Sequence, residues 1–593
     1  MQGRHLLAIV AGLFWAASFP KIGIAGLAWI APGLMLLAAI GKRGGQAFRI
    51  GYAAGMAFYL ASLYWLLLIP VPLADVWGPI LGWLALAAFL ALYPATWVWA
   101  CWRLFPGNSA AAQIRSEIPS SGRETLEKTE IHLIGKSPLP PIKGKEAGIS
   151  APGPISAANW AGPISNSAWT QRAGWAVCAA AIWVALEMLV ARFLSGFPWD
   201  LLGVSQYKLT PLIQIASFTG VYGVSFLVVW ASASLLGAVV VIVRRPAMRS
   251  AWFGEIILPM AAVLVVYGSG YRRLVQPAPK APELSIALVQ PSIPQSLIWD
   301  PKESSNRFVQ LLELSRQALT NKPDLLVWPE SAIPKMVRWD EGTYRAVTDL
   351  ARTNKVWMIV GSDDAEPRGN SGRETDFFFN SSFLVAPDGH LTAQYKKRNL
   401  VIFGEYVPLA RWLPFLKYLT PIDGGFTPGD RAVPFELQDL KVKVSVLICF
   451  EDTFPHLARE YVSDDTDFLV NLTNNGWFDE SAAQWQHAVT ALFRAVENGV
   501  PLVRCANNGL TCWVDAGGRI RQFYESPGHG IYGAGFMIAH VPVLSPGQTR
   551  EPTFYRRHGD LFGWCCVGIT VLRLGGSFLK KRKPRDNAVL SES

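Results

Sequence analysis

Apolar residues follow two rhythms along this chain. As far as Tyr267, and again from Leu561, they come in long runs; between Glu283 and Ser545 they come in short bursts divided by polar and amphipathic stretches. Crossing a bilayer takes about 20 mostly apolar residues. Eight segments approach that length: His5–Phe19, Ile22–Ile40, Tyr52–Ile69, Pro79–Trp102, Gly174–Val190, Val221–Val243, Trp252–Tyr267 and Leu561–Phe578. The first and seventh are short, and Arg573 interrupts the last. The run from Leu212 is broken at Gly220–Gly223 (GVYG), so its first part reads as an interfacial helix and the remainder as a span. The N-terminus begins like a signal peptide, but no small-residue cleavage site follows and a second apolar run comes at once, which predicts a retained helix.

In the middle region the bursts ELSIALVQ, DLLVWPE, VWMIVGSDD, KVSVLIC, DFLVNLT and PLVRCAN have the length and β-branched content of buried strands. Amphipathic stretches such as Asn306–Thr320 and Ala482–Asn498 lie between them, which predicts an α/β domain with a buried sheet. The organisation expected is four helices over 1–105, a loop over 106–172, three helices over 173–271, an α/β domain over 283–545, a last helix over 558–579 and a basic tail over 580–593. The loop is rich in Ser, Pro, Gly and Ala with both charge signs interspersed, and cannot bury enough apolar surface to offset its ordering entropy. It is expected to be disordered and cytoplasmic, a tolerated insertion rather than a docking tail.

Charge settles the expected topology. Of the loops, Gly41–Arg49, Val243–Arg249 and the tail Lys580–Arg585 are basic, whereas Pro70–Trp77 and Gly196–Lys208 are poor in Lys and Arg. Eight spans put both termini on one side, and the excess of basic residues makes that side cytoplasmic. The α/β domain then lies outside. The net charge of +10 resides in these clusters, so it argues for membrane topology and against a nucleic-acid partner. The 24 tryptophans suit membrane interfaces, where Trp199 reads as an anchor beside Arg192. Glu187 falls inside the fifth span and is expected either to pair with a neighbouring helix or to be protonated. Seven cysteines without CxxC or His/Cys spacing predict no metal site and no cofactor; Cys505 and Cys512 are the two that could pair.

Candidate chemistry centres on Cys449, which ends the apolar run Val442–Ile448 and is followed by Glu451 and Asp452. A thiol becomes a nucleophile only with a base or a cation beside it; alone, such a cysteine reads as a small core residue. Glu330 ends DLLVWPE, and YKKRNLVIFGEYVP offers Lys397 and Glu405. Each of these reads by itself as a solvated strand-end residue, but acyl transfer through a covalent intermediate needs a nucleophile, a base and a cation at the oxyanion.

The order Glu330, Lys397, Glu405, Cys449 resembles the nitrilase superfamily. The words QPSIPQSLIWDP, LVWPES, FGEYVP, ICFED, NLTNNGWF and FRAVENGVPLVRCANNG resemble its membrane-embedded branch, the apolipoprotein N-acyltransferases. That resemblance covers nearly the whole chain outside Pro106–Thr170, and implies a helix bundle carrying a periplasmic αββα sandwich in the bacterial inner membrane. It further implies Glu330 as general base, Lys397 as oxyanion partner, Cys449 as acyl carrier, and Glu405 and Glu451 as supporting acids. Glu451 also reads as a helix-start acid complementing the dipole. Trp299 and Phe450 match positions near the substrate, and Trp412 and Phe415 belong to an apolar loop (Arg411–Pro421) expected to dip into the bilayer. The donor implied is a membrane phospholipid, the acceptor a diacylated apolipoprotein, and the enzyme a monomer. Departures are Phe450 for the usual Tyr, Asn475 for Asp and Ile402 for Pro; they touch the acyl pocket rather than the reaction class. A membrane-tethered amidase or nitrilase would use the same three residues with water as acceptor. A transporter or scaffold with an inactive domain would show paired mid-membrane charges or a repeat, and the chain has neither.

Overall fold

A computed structural model describes residues 2–70, 77–105, 167–246, 252–276, 281–298, 300–367, 377–408, 412 and 425–579. Five helices among the described residues are long and apolar enough to cross a membrane: Trp77–Arg103, Trp169–Val190, Val221–Arg244, Phe253–Val275 and Leu561–Leu579. Gln2–Ala17 and Gly44–Ser62 pack beside them. Most of the expected loop over 106–172 lies outside the described residues.

Several predicted boundaries move, each for a reason in the backbone. Ile22–Ile40 is not one helix but a 3₁₀ turn over Ala25–Trp29 and a short helix over Ala31–Ala39. Pro32, at the start of the second piece, lacks the N–H that would continue the ladder. Trp77–Leu90 and Leu92–Arg103 divide at Ala91, one turn before Pro94, for the same cause. The third helix begins at Gly44, not Tyr52, so the basic loop shrinks to Gly41–Arg43 and Arg49 lies on the helix. An apolar window misses such polar first turns, although their backbone hydrogen bonds are as good as any. The fifth helix likewise starts at Trp169, inside the segment expected to be loop, and the seventh runs on to Val275.

The α/β region forms two six-stranded sheets. One contains β1 (Glu283–Gln290), β2 (Leu325–Val327), β3 (Trp357–Glu366), β4 (Phe377–Val385) and β5 (Leu391–Lys396). The other contains β6 (Pro434–Leu437), β7 (Val442–Ile448), β8 (Phe468–Thr473), β9 (Leu502–Ala506), β10 (Cys512–Val514) and β11 (Ile520–Phe523). Strand β12 (Gly535–Pro542) returns to the first sheet, giving the orders β12-β1-β2-β3-β4-β5 and β11-β10-β9-β8-β7-β6. In each sheet the three central strands are parallel: β1-β2-β3 and β7-β8-β9.

Period-two alternation assigns the layers. Leu284, Ile286, Leu288, Leu325, Val327, Trp357 and Ile359 face the opposing sheet, while the intervening Ala287, Val289, Leu326, Trp328, Met358 and Val360 pack under helices Ser304–Leu319 and Glu341–Asn354. Cys505 reaches across the two sheets, its thiol donating to the carbonyls of Val289 at 3.3 Å and Val327 at 3.4 Å. It is not bonded to Cys512. Cys512 stands opposite Arg504, so Cys505 projects from the other face of the sheet.

The second sheet is covered by helix Ala483–Asn498, along which only Trp485 keeps partial exposure. One face lies on β9 and the turn Cys449–Thr453 that follows β7, and the other on the membrane-spanning part, so the helix is the joint between the two halves. Gln486 carries it. Its Oε1 accepts from the indole N–H groups of Trp65 (2.9 Å) and Trp199 (3.0 Å), and its Nε2 donates to the carbonyls of Pro20 (3.2 Å) and Ser62 (3.3 Å). Trp199 is therefore buried at this joint, not anchored at a membrane interface. Among the described residues Glu187 pairs with no cation: it accepts from Trp183 Nε1 in its own helix and from the Leu202 amide, both at 2.9 Å. Arg192 forms an ion pair with Asp560 that ties the fifth helix to the last.

Gln486→Leu keeps the volume but orphans two buried indole donors and two carbonyls, each at a cost of about 1–3 kcal/mol where no water can enter. The detergent-solubilised variant is expected to melt several degrees below wild type and to be cut faster by protease between the two halves. Unchanged melting and cleavage would show that the joint does not depend on this side chain.

Candidate active site

The parallel strands of both sheets end at the same rim, and the predicted residues gather there. β7 stops at Ile448 because the chain turns sharply: Cys449 opens a 3₁₀ turn, Cys449–Thr453, with φ +54°. A left-handed conformation is costly for a residue with a Cβ and persists only where the surroundings enforce it. They do so here. Asn471 on β8 donates to the Cys449 carbonyl at 3.0 Å, and Arg504 on β9 holds Asn471 at 2.8 Å and Asp452 at 2.6 Å. His487 Nε2 meets Asp452 at 2.8 Å. Helix Ala483–Asn498, which anchors the membrane part through Gln486, thus also braces the cysteine turn through the next residue.

Lys397 follows β5 and is 1% exposed. Its ammonium lies 2.8 Å from Glu405 and 3.3 Å from Glu330. Glu330, which follows Pro329 after β2, also accepts from the Asn474 amide at 2.8 Å. Asn380 on β4 donates to both acids, at 2.8 Å to Glu330 and 3.0 Å to Glu405, and the Val401 amide holds the other oxygen of Glu405 at 2.9 Å. Burial alone would lower the Lys397 pKa, but the charges of Glu405 and Glu330 outweigh it and raise it well above the ordinary lysine value. Lys397 is a fixed cation.

The structure settles the choice left open for Glu451. Its carboxylate is fully buried and accepts from the amides of Ile448 (2.8 Å), Arg398 (2.7 Å) and Asn399 (3.1 Å) and from the Tyr395 hydroxyl (2.8 Å). It clamps the cysteine turn to the residues immediately after Lys397, and so positions the thiol and the ammonium together. Burial raises its pKa, and these donors oppose the rise.

Cys449 is only half-buried as a residue, yet burial of its sulfur, followed by the charge of Glu330, pushes the thiol up to about 12 against the opposing pull of Lys397. At neutral pH it is a thiol, and a thiol acts as a nucleophile only with a base to take its proton. Phe450 sits in an aromatic wall drawn from both halves, with ring centroids 5.7 Å from Phe197 and 6.1 Å from Trp199. Trp412 is 80% exposed, while Trp299 and Phe415 lie outside the described residues. Sequence reasoning missed Asn380, Tyr395, His487 and Arg504. Asn380 had a signal, a lone amide in the apolar strand FFFNSSFLV, and Arg504 another, a charge in PLVRCAN. Among the described residues no group of three His, Cys, Asp or Glu side chains is placed to hold a metal ion.

Residues 285–530 match the family model for carbon–nitrogen hydrolases, and residues 11–115 and 152–234 match that for the apolipoprotein N-acyltransferase N-terminal domain. The apolipoprotein N-acyltransferase of Geobacter metallireducens is 34% identical over 585 residues, covering 97% of this chain and 96% of its own. That of Rickettsia prowazekii is 31% identical over 64% of this chain and 72% of its own. A solved amidase of the nitrilase superfamily from Nesterenkonia aligns with TM-score 0.33 and 16% identity, over 45% of this chain and 94% of its own. With long apolar helices ahead of a two-sheet α/β domain and a relative matched almost end to end, this membrane protein belongs to the apolipoprotein N-acyltransferase family of the nitrilase superfamily.

Proposed function

We propose that the protein transfers an acyl chain from a membrane phospholipid, through a thioester on Cys449, to the N-terminal α-amino group of diacylglyceryl-cysteine in apolipoproteins. The observation that carries this reading is the buried cluster of Lys397, Glu330 and Glu405 beside a cysteine held in a strained turn. Glu330 takes the thiol proton as sulfur attacks the ester carbonyl, and returns it to the departing lysophospholipid oxygen. Lys397, already cationic and desolvated, stabilises the tetrahedral oxyanion without reorganising. In the second half the amine attacks the thioester, the C–N bond forms, the C–S bond breaks, and Glu330 moves a proton from nitrogen to sulfur. Glu405 and Asn380 fix the ammonium, and Glu451 holds the cysteine turn.

Both substrates are lipid-anchored, and a catalytic domain seated on its own helices meets them without extracting their chains. The placement that follows is the bacterial inner membrane, with the α/β domain periplasmic, both termini cytoplasmic, the loop over 106–172 on the cytoplasmic side and eight spans in all, acting as a monomer.

Intact-protein mass spectrometry of wild type incubated with phospholipid alone is expected to show an acyl-sized, hydroxylamine-labile adduct that Cys449→Ala lacks. If folded wild type never acquires it while hydrolysing small amides through Cys449, the enzyme is an amidase instead. A second expectation separates base from bystander. Glu330→Gln removes a negative charge that raises the thiol pKa, so Cys449 becomes more acidic and iodoacetamide alkylation sets in at lower pH. Acyl transfer nevertheless falls by about 10²–10⁴-fold, as expected for loss of a general base. Alkylation moving to higher pH would contradict this electrostatic assignment.

A further inference from the structure

Transfer to an amine has a proton balance that Glu330, Lys397 and Cys449 do not close. Glu330 ends the first half as a carboxylate, having returned the thiol proton to the leaving oxygen. An α-amino group titrates near about 8 and enters at neutral pH largely as ammonium. It sheds one proton to become a nucleophile and a second once the C–N bond has formed. Glu330 carries the second to the departing sulfur. The first needs another acceptor.

The register of the first sheet supplies one. Asp363 on β3 stands opposite Asn380 on β4, and the Lys397 amide donates to the Asn380 carbonyl at 2.8 Å. Asp363, Asn380 and Lys397 therefore form one transverse row across three neighbouring strands. Asp363 has the parity of Trp357 and Ile359, so it stands on the face toward the opposing sheet, at the active-site rim. Its Oδ1 accepts from the hydroxyl of Ser331, the residue after Glu330, at 2.9 Å. Lys397 and Asn380 are buried, whereas Asp363 is half-buried.

Two further features call for a cation there. The charged groups facing Asp363 are Glu330 from the end of β2 and Glu405 and Lys397 from the segment after β5; Arg338 is engaged with Asp364, which has the opposite parity on β3. Three carboxylates around one lysine leave the rim negative. Asn380, 3% exposed, gives its amide N–H groups to Glu330 and Glu405, while its Oδ1 has no donor among the described residues. A buried acceptor without a donor, between a lysine and a partly open carboxylate, is suited to an incoming N–H group.

We propose that Asp363 receives the α-ammonium of the acceptor, with Asn380 Oδ1 as its second partner, and takes the proton that converts it to the attacking amine. The N–H bond breaks and an O–H bond forms on Asp363, which later releases the proton to water. Burial pushes Asp363 up to about 6, so it is ionised at neutral pH and closer in basicity to the amine than an exposed carboxylate is. This assignment rests on the acyl-transfer reading above and specifies what makes the acceptor an amine.

The test uses the full-length protein in phosphatidylethanolamine/phosphatidylglycerol vesicles and a synthetic diacylated lipopeptide with a free N-terminus. Thioester formation and its discharge are followed separately in wild type, Asp363→Asn and Asp363→Glu. Asp363→Asn is expected to raise the KM for lipopeptide at neutral pH by about tenfold or more, the loss of one charge-assisted hydrogen bond. Its discharge rate should go on climbing with pH toward about 8, where the amine deprotonates unaided. Asp363→Glu, which keeps the charge, should recover most of the KM. A thioester discharged by Asp363→Asn with wild-type KM and pH profile overturns the role of Asp363 alone, as does an Asp363→Glu variant no better than Asp363→Asn. Absence of any thioester in wild type overturns the acyl-transfer reading and this assignment with it.

Discussion

An ammonium group sealed from water between two carboxylates fixes the geometry of this site. Lys397 could not be buried as a lone cation, because desolvating it would cost several kcal/mol. Glu330 and Glu405 offset that cost, and each brings its own segment of chain: Glu330 from the end of β2, Glu405 from the segment after β5. Asn380 joins the two acids from β4. The cluster therefore works as a knot between strands that are distant in sequence, and any shift of one strand would leave a buried charge unpaired. That penalty gives the site its rigidity. The strained turn at Cys449 is held to it through Glu451, whose acceptors serve both the turn and the residues next to Lys397.

The same economy joins the catalytic domain to the membrane. Helix Ala483–Asn498 has an amphipathic sequence, which in a soluble domain would leave one side to water. Here that side is covered by the membrane-spanning part, and its polar residues are matched individually: Gln486 by two indoles and two carbonyls, Glu497 by the Val221 amide at 2.9 Å. Because His487 reaches Asp452 from the same helix, a displacement of the membrane part would be felt at the cysteine turn within one residue.

Much of this was legible in the sequence, and what was not has physical causes. Long apolar runs and short buried strands are read from composition, because transfer free energy depends on side chains alone. Breaks at Pro32 and Pro94 were written in the chain too, but an apolar window does not weigh a missing N–H. Lys397, Glu330 and Cys449 came from a motif; Asn380 and Arg504 stood out only as polar residues in apolar strands and Asp363 not at all, since their meaning lies in cross-strand register, which pairs residues by geometry and not by spacing. Glu451 stood ambiguous between helix-start acid and clamp because its donors are backbone amides, which leave no mark in a sequence. Trp199 failed as an interface anchor for a related reason: amphipathic rings are as much at home in a polar-lined protein joint as at a headgroup layer.

What separates acyl transfer from hydrolysis in such a site is therefore its surroundings rather than its nucleophile. On the proposed reading, a thiol held up near 12 stays protonated until Glu330 removes the proton as sulfur attacks a carbonyl. Water and amine would compete for the proposed thioester. The wall of Phe197, Trp199 and Phe450 belongs partly to the membrane segment and partly to the cysteine turn, so apolar surface stands next in sequence to Cys449. Around Lys397 stand Glu330, Glu405 and Asp363, with an amide oxygen of Asn380 that has no donor among the described residues, and on the proposed reading these favour a cation over a neutral water. An apolar wall at the cysteine turn and an anionic cluster around Lys397 would together, on the proposed reading, bias a thioester toward nitrogen, with the same three residues that hydrolysis would use.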